Sequence, residues 1–282
     1  MHRDKIIDDD TKRFLIQTDP KPGWFYILPK VHKQGNPGRP IVSSNAHPTE
    51  RISQFVDFHL KPLVQKTQSF IKDTTHFLNK LEQLGQLPDN TFLVTLDVSS
   101  LYTNIPHNQG IDACRHFVDT RIRNPSTIST ETLCDLIRMI LTMNNFTFND
   151  KNYLQIHGTA MGTRMAPSYA KLFLAKFETD AISRAPYQPH TWWRYIDEIF
   201  MIWTQSVDLQ TFTTYLNNIH PTIKFTSNYS FTSTPFLDVN VSDLSLTVKS
   251  RLTFTLNLPT NINTYYNLHV SLNTLRELFH SA

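Results

Sequence analysis

Cysteine, glycine and long apolar runs are all scarce in this 282-residue sequence, and each shortage removes a class of function. Cys114 and Cys134 are the only cysteines, too few for a disulfide framework or for a zinc site built on thiolates, and both read as core residues on helix faces. The 12 histidines show no HxxxH spacing, so scattered surface residues explain them better than a histidine metal site does. No stretch approaches the ~20 apolar residues of a membrane span. The N-terminal MHRDKIIDDDTKR carries charges where a signal peptide needs an apolar segment, so the expected setting is nucleus or cytoplasm with no membrane partner. Acid is missing over one stretch. Between Asp19 and Glu50 there is no carboxylate, while Lys21, Lys30, Lys33 and Arg39 are all basic, a local concentration that the overall net charge of +3 conceals.

What is present is enough apolar residue, 40%, for one large or two ordinary domains. The segment Thr191 to Trp203, TWWRYIDEIFMIW, places two aromatic and β-branched runs around the acidic pair Asp197 and Glu198. It reads as a hairpin with the carboxylates at its tip, strands running Trp192 to Ile196 and Ile199 to Trp203. Type I′ turns want Asn-Gly or Asp-Gly, so Glu198 at such a tip breaks a local rule; the plain alternative is a polar turn between strands. Upstream, Phe92 to Leu96 is a short apolar strand that stops on Asp97. WFYILPKVHKQGNPGRPIVSS reads as a basic hairpin, and Phe146 to Phe148 with Tyr153 to Ile156 as a second one.

Helices are expected after Thr49, ending near Pro62; from an Asp73 cap to Gly85; after Pro106; from Glu131; and from Pro167. Gly158 and Gly162, two of only seven glycines, precede the last of these. They suit either a phosphate or a close backbone approach. Pro235 to Val241 and Leu244 to Phe254 read as closing strands, and residues 1–20 as a tail.

Two buried strands that each deliver an aspartate would lie about 4.8 Å apart if paired. Carboxylates that close repel unless a cation lies between them, and hard oxygen ligands without thiolate or imidazole favour Mg²⁺ or Mn²⁺. Two such ions roughly 3.5 to 4 Å apart would clamp an in-line phosphoryl displacement, the chemistry of polymerases and nucleases. The basic hairpin from Lys30 to Arg39 offers a guanidinium fork and ammonium charges for a triphosphate, its alternative being a solvated charged face.

In this order, FYILPKVHKQGNPGRPIVS, TLDVSSLYTNIP, YLQIHGTAMGTRMAPSYAKLF, RYIDEIFMIW and HPTIKFT with PFLDVNV resemble the reverse transcriptase domain of Penelope-like retroelements, in the telomerase-like right-hand polymerase group. The likeness covers about Trp24 to Val241. It implies an α+β right-hand polymerase with fingers at 21–90, a palm at 91–255 carrying a fingers insertion near 106–145, and the start of a thumb at 256–282. It also implies RNA-directed DNA synthesis from an RNA template, a DNA primer and deoxynucleoside triphosphates, with two Mg²⁺ ions held by Asp97, Asp197 and the carbonyl of Val98. By the same resemblance Tyr102, five residues after Asp97, is the gate against a ribose 2′-OH, with a core tyrosine as the alternative. Arg39, helped by Lys30 or Lys33, contacts the triphosphate; Gly158 and Gly162 belong to the template and nucleotide loop; Lys224 is a general acid for pyrophosphate. Glu198 departs from the pattern, which has a second aspartate there, and the short C-terminus suggests a truncated copy. A nucleic-acid-binding relic of the same fold that has lost catalysis is the competing expectation.

Overall fold

The computed structural model describes residues 7–31, 35–84, 87, 91–120, 128–204, 208–243 and 252–256. Lys33, the segment 244–251 of the expected closing strand and all but the first residue of the expected thumb start lie outside them. The chain divides into two compact units. The first comprises Met1–Gln68, Ser100–Arg184 and Pro221–Ile223, and the second Ser69–Ser99, Ala185–His220 and Lys224–Ala282.

The first unit starts with a helix that the tail reading did not foresee. α1 (Asp9–Leu15) exists because the Asp8 carboxylate accepts the Thr11 N–H at 2.7 Å and so caps it, and Leu15 is buried. β1 (Gly23–Pro29) and β2 (Gly38–Ser43) form the basic hairpin, Trp24 opposite Ser43 and Pro29 opposite Gly38. The second hairpin, β4 (Asn145–Phe148) and β5 (Lys151–Leu154), joins the free edge of β1 in parallel, giving the order β2-β1-β4-β5. Phe25 seals that junction, stacked on Phe146 and edge-on to Phe148.

Four longer helices complete this unit. α2 (Glu50–Val64) does not stop at Pro62, because a proline in the last turn removes only the bond to the Phe58 carbonyl. α5 (His107–Asp119) and α6 (Thr130–Thr142) pack on each other, α5 also on α7 (Ala166–Arg184), and α2 on both α6 and α7. Tyr169, Leu172, Phe173, Leu174 and Phe177 are buried on α7 together with Ser168, Ala175 and Glu178, so its burial extends well beyond a single stripe, as expected of a central helix. The four-residue helix α4 (Leu101–Asn104) precedes α5.

In the second unit four antiparallel strands run in the order β6-β7-β3-β8: β3 (Phe92–Val98), β6 (Thr191–Tyr195), β7 (Glu198–Trp203) and β8 (Phe225–Ser230). Both inner strands are apolar because both faces of the sheet are covered. On one face α3 (Thr74–Gln83), whose Asp73 cap accepts the His76 N–H, inserts Phe77 among the rings of Trp193, Phe200 and Phe236. On the other, Phe212 of α8 (Leu209–Ile219) meets Trp192 and Trp203. The segment Pro235 to Val241 is not one strand. It breaks at Leu237 and Asp238 into β9 (Ser233–Phe236) and β10 (Val239–Asp243), and β10 pairs onward with β11 (Leu252–Leu256).

A buried histidine gives the first unit a pH dependence. His47 is fully buried; its Nδ1 accepts the Thr49 N–H at 3.2 Å, which leaves Nε2 to donate to Asn145 Oδ1 at 3.1 Å. Burial holds its imidazole below the ordinary value, outweighing its hydrogen bonding to Asn145. The unfolded chain therefore takes up the proton first, so the stability contributed by neutral His47 is complete above about pH 6.5 and is lost on acidification. Urea unfolding at pH 7.5 and 5.5 should show the wild type losing stability, and His47→Gln losing measurably less over the same interval.

Candidate functional site

The acidic residues of the central hairpin come together through strand register. β3 is paired with β7 on one side and β8 on the other, and the apolar pairs Leu93 with Ile202 and Leu96 with Ile199 fix the alignment. One residue further on, the same register sets Asp97 directly opposite Glu198, with Thr226 across the other edge. Partners across an antiparallel pair project to one face, so Asp97, Glu198, Tyr195 and Thr226 continue the face whose other end carries Leu93, Phe200 and Trp193. Asp97 and Asp197 are half-buried and Glu198 is exposed. The backbone closes the corner: the Val98 N–H donates to the Asp197 carbonyl at 3.0 Å, and the Ser99 N–H to the Lys224 carbonyl at 2.8 Å.

The tip of the hairpin lies one residue earlier than its sequence suggests. Tyr195 pairs with Glu198, so the two turn residues are Ile196 and Asp197, and Glu198 is the first residue of β7. The positive φ that a tight hairpin requires falls on Ile196, at 55°, and Glu198 bears no such strain. A β-branched residue in that region is a true outlier, of order 1–3 kcal/mol, held by the pairing on either side. The turn between β9 and β10 is built the same way, with Leu237 at φ 52° followed by Asp238, whose carboxylate accepts the Thr74 hydroxyl at 2.8 Å.

The other expected site residues divide by unit. Lys224 is in the second, where its ammonium donates to the carbonyls of Asn217 and His220 and caps the end of α8. Burial and the neighbouring Lys224 hold the His220 imidazole below its usual value. In the first unit Arg39 is exposed on β2 opposite Leu28, Lys30 is half-buried with its N–H on the Pro37 carbonyl, and Tyr102 is half-buried on α4.

Gly158 and Gly162 are explained by close backbone approach. A Cβ on Gly158 (φ 65°) would stand 2.4 Å from the Tyr102 carbonyl oxygen, and one on Gly162 (φ 140°) 2.2 Å from that of Val42. The loop between them is fastened at both points: Thr159 N–H to the Tyr102 carbonyl at 2.7 Å, Val42 N–H to the Met161 carbonyl at 3.1 Å, and the Ser44 hydroxyl to the Gly162 carbonyl at 2.7 Å. The loop thus joins β2, which bears Arg39, to α4, which bears Tyr102.

Sequence reasoning passed over Arg194, a charged residue in the middle of an apolar strand and buried there. That position was itself the signal, because a buried charge needs a purpose. As a metal site the donor set is two half-buried carboxylates on neighbouring backbone segments. Among the described residues no group of three or more His, Cys, Asp and Glu forms a cage. That set fits Mg²⁺, which takes one or two carboxylates and fills its shell with phosphate and water.

The two packed glycines can be tested without any ligand. Gly158→Ala and Gly162→Ala should each destabilise the protein by about 2 kcal/mol or more, since both the φ and the space are wrong for a side chain. Gly35 also has a positive φ, 78°, but nothing within 4 Å, so Gly35→Ala should cost only about 1 kcal/mol. Denaturant midpoints of the three variants check the ranking.

Against known proteins, the description "Reverse transcriptase (RNA-dependent DNA polymerase)" matches residues 31–228. No curated protein matches. Among solved structures, telomerase from Candida albicans in complex with a fragment of telomeric RNA is similar at TM-score 0.62 and 10% identity, over 97% of this chain and 50% of that one. Apo telomerase from Candida tropicalis is similar at 0.59 and 12%, over 82% and 48%. An RNA polymerase complex inside a double-stranded RNA virus is similar at 0.56 and 13%, over 85% and 23%. The chain thus spans about half the length of the telomerase chains, and at these identities the likeness concerns the fold, a right-hand polymerase arrangement of mixed helix and sheet. With the match covering more than half of its length and the paired acids lying inside it, the chain belongs to the reverse transcriptase (RNA-dependent DNA polymerase) family.

Proposed function

We propose that the chain is an RNA-directed DNA polymerase domain of the Penelope-like type, adding deoxynucleotides to a DNA primer on an RNA template. The register that sets Asp97 opposite Glu198 and ties Val98 to Asp197 carries this reading, since it gathers three acids at one end of a buried sheet. The order of the five sequence motifs supports the Penelope-like assignment. Asp97 and Asp197, with the Val98 carbonyl, would hold Mg²⁺ or Mn²⁺. Two such ions, when bound, lower the pKa of the attacking hydroxyl and neutralise the leaving group.

The chain's own residues supply the rest. Arg39 presents its fork to the triphosphate, with Lys30 and Lys33 adding positive charge to a stretch that has no acid. The ring of Tyr102, placed by the bonds that fix α4 to the glycine loop, excludes a 2′-OH. Glu198, exposed at the start of β7, adds negative field behind Asp97. Lys224, whose ammonium caps α8 on the Asn217 and His220 carbonyls, is the general acid for the pyrophosphate leaving group in this reading.

Primer extension on RNA and DNA templates with Mg²⁺ or Mn²⁺ tests the proposal. Asp97→Asn and Asp197→Asn should lower kcat by about a thousandfold or more, in line with the loss of an electrostatic anchor at a reaction centre, with thermal unfolding no lower than wild type. Glu198→Gln should stay within about tenfold of wild type. Near wild-type extension by either aspartate variant would remove the metal assignment.

A second measurement addresses Tyr102. Tyr102→Ala should reduce the preference for deoxynucleotides over ribonucleotides, read as the ratio of kcat/KM for the two sugars, by about tenfold or more. An unchanged ratio in a folded variant returns Tyr102 to a packing role.

A further inference from the structure

Arg194 is the only charged residue of β6 and is 3% exposed. Its backbone is stitched to the segment before α3: the Arg194 N–H donates to the Ser69 carbonyl at 2.6 Å, and its carbonyl accepts the Ile71 N–H at 3.0 Å, with Phe70 alongside in a parallel bridge. Its side chain turns toward the tip of the hairpin. Nη1 donates to the Ile196 carbonyl at 2.9 Å, and Nη2 lies 3.5 Å from the Ser69 hydroxyl.

The Ile196 carbonyl belongs to the peptide that leads into Asp197, and the Asp197 carbonyl to the peptide that leads out of it. Arg194 anchors the first, and the Val98 N–H anchors the second. Asp197 is thus gripped through both of its peptide planes, next to a residue whose φ of 55° would otherwise favour release. Keeping a guanidinium out of water is costly, and a structural position opposite Ile199 on an inner face is served as well by an aliphatic side chain.

We infer that Arg194 is a positioning residue that sets the direction of the Asp197 carboxylate by holding the peptide between Ile196 and Asp197. The inference rests on the polymerase reading only through the use to which Asp197 is put. Metal binding and nucleotide addition should therefore suffer together, while nucleotide affinity is spared, because Arg194 acts through the carboxylate and touches no substrate.

The test uses the whole chain with Arg194→Gln and Arg194→Lys. Folding is followed by circular dichroism, Mn²⁺ affinity without nucleotide by electron paramagnetic resonance, and kcat and KM by primer extension. Arg194→Gln should bind Mn²⁺ about tenfold more weakly and lose about tenfold to a hundredfold in kcat, the scale of a small misplacement, with KM for nucleotide within about twofold. Arg194→Lys, which keeps one donor for the Ile196 carbonyl, should recover part of both losses. If the glutamine variant does not fold, the lysine variant decides: weaker Mn²⁺ binding with unfolding close to wild type supports the role. Any folded variant with wild-type Mn²⁺ affinity and kcat overturns it. A wild-type chain that binds Mn²⁺ through Asp197 but extends no primer overturns the polymerase reading and leaves the binding comparison to judge Arg194. A wild-type chain that binds no Mn²⁺ overturns the inference together with the metal assignment.

Discussion

The alignment of β3 against β7 is the constraint on which the second unit depends. Both strands are buried on both faces, so a slip by one residue would turn Leu93, Phe200 and Ile202 away from Phe77 and toward Phe212. The apolar pairs that forbid the slip run from Leu93 with Ile202 up to Leu96 with Ile199, the neighbours of the acids, and α3 packs on the Leu93 end. Packing of α3 and of the β9–β10 hairpin against that end therefore determines which residue faces Asp97, even though Phe77 and Phe236 are remote from it in the sequence. Core residues and acidic residues are consecutive parts of one register, so repacking the first relocates the second.

The two hairpin turns of this unit show how one backbone solution can serve two ends. Each places an aliphatic residue at positive φ ahead of an aspartate, Ile196 with Asp197 and Leu237 with Asp238. Asp238 is engaged through its carboxylate, by the Thr74 hydroxyl at the start of α3, which fastens the β9–β10 hairpin to the helix that fills the core. Asp197 is held through backbone carbonyls on both sides. Like turns are thus secured through different atoms. Membership of the reverse transcriptase family accounts for the order of the motifs, but it is the hydrogen bonds that distinguish these two aspartates.

Much of this was legible in the sequence, and the remainder was hidden for physical reasons. Alternation and apolar runs locate β1, β2, β3 and β7, and the Asp73 cap locates α3. The tip at Asp197 and Glu198 was misplaced by one residue because turn preferences disfavour isoleucine at positive φ, and tertiary pairing overrode them. The same preference hid the break at Leu237 and Asp238. The parallel docking of β4 on β1 joins residues more than a hundred positions apart, which no local pattern encodes. Gly158 and Gly162 were recognisable as special, but whether phosphate or backbone approaches them depends on where Tyr102 and Val42 come to rest.

The central position of β3 also bears on how the protein is made. Its partners β7 and β8 lie about a hundred residues or more downstream, so on a ribosome adding about 5–20 residues per second β3 waits several seconds for them. During that wait Phe92 to Leu96 is an apolar strand with two unpaired edges, the kind of segment that recruits the wrong neighbour. Asp97, at the end of that run, then acts as a charged gatekeeper during synthesis, and a neutral residue there would raise the burden on chaperones before any question of chemistry arises.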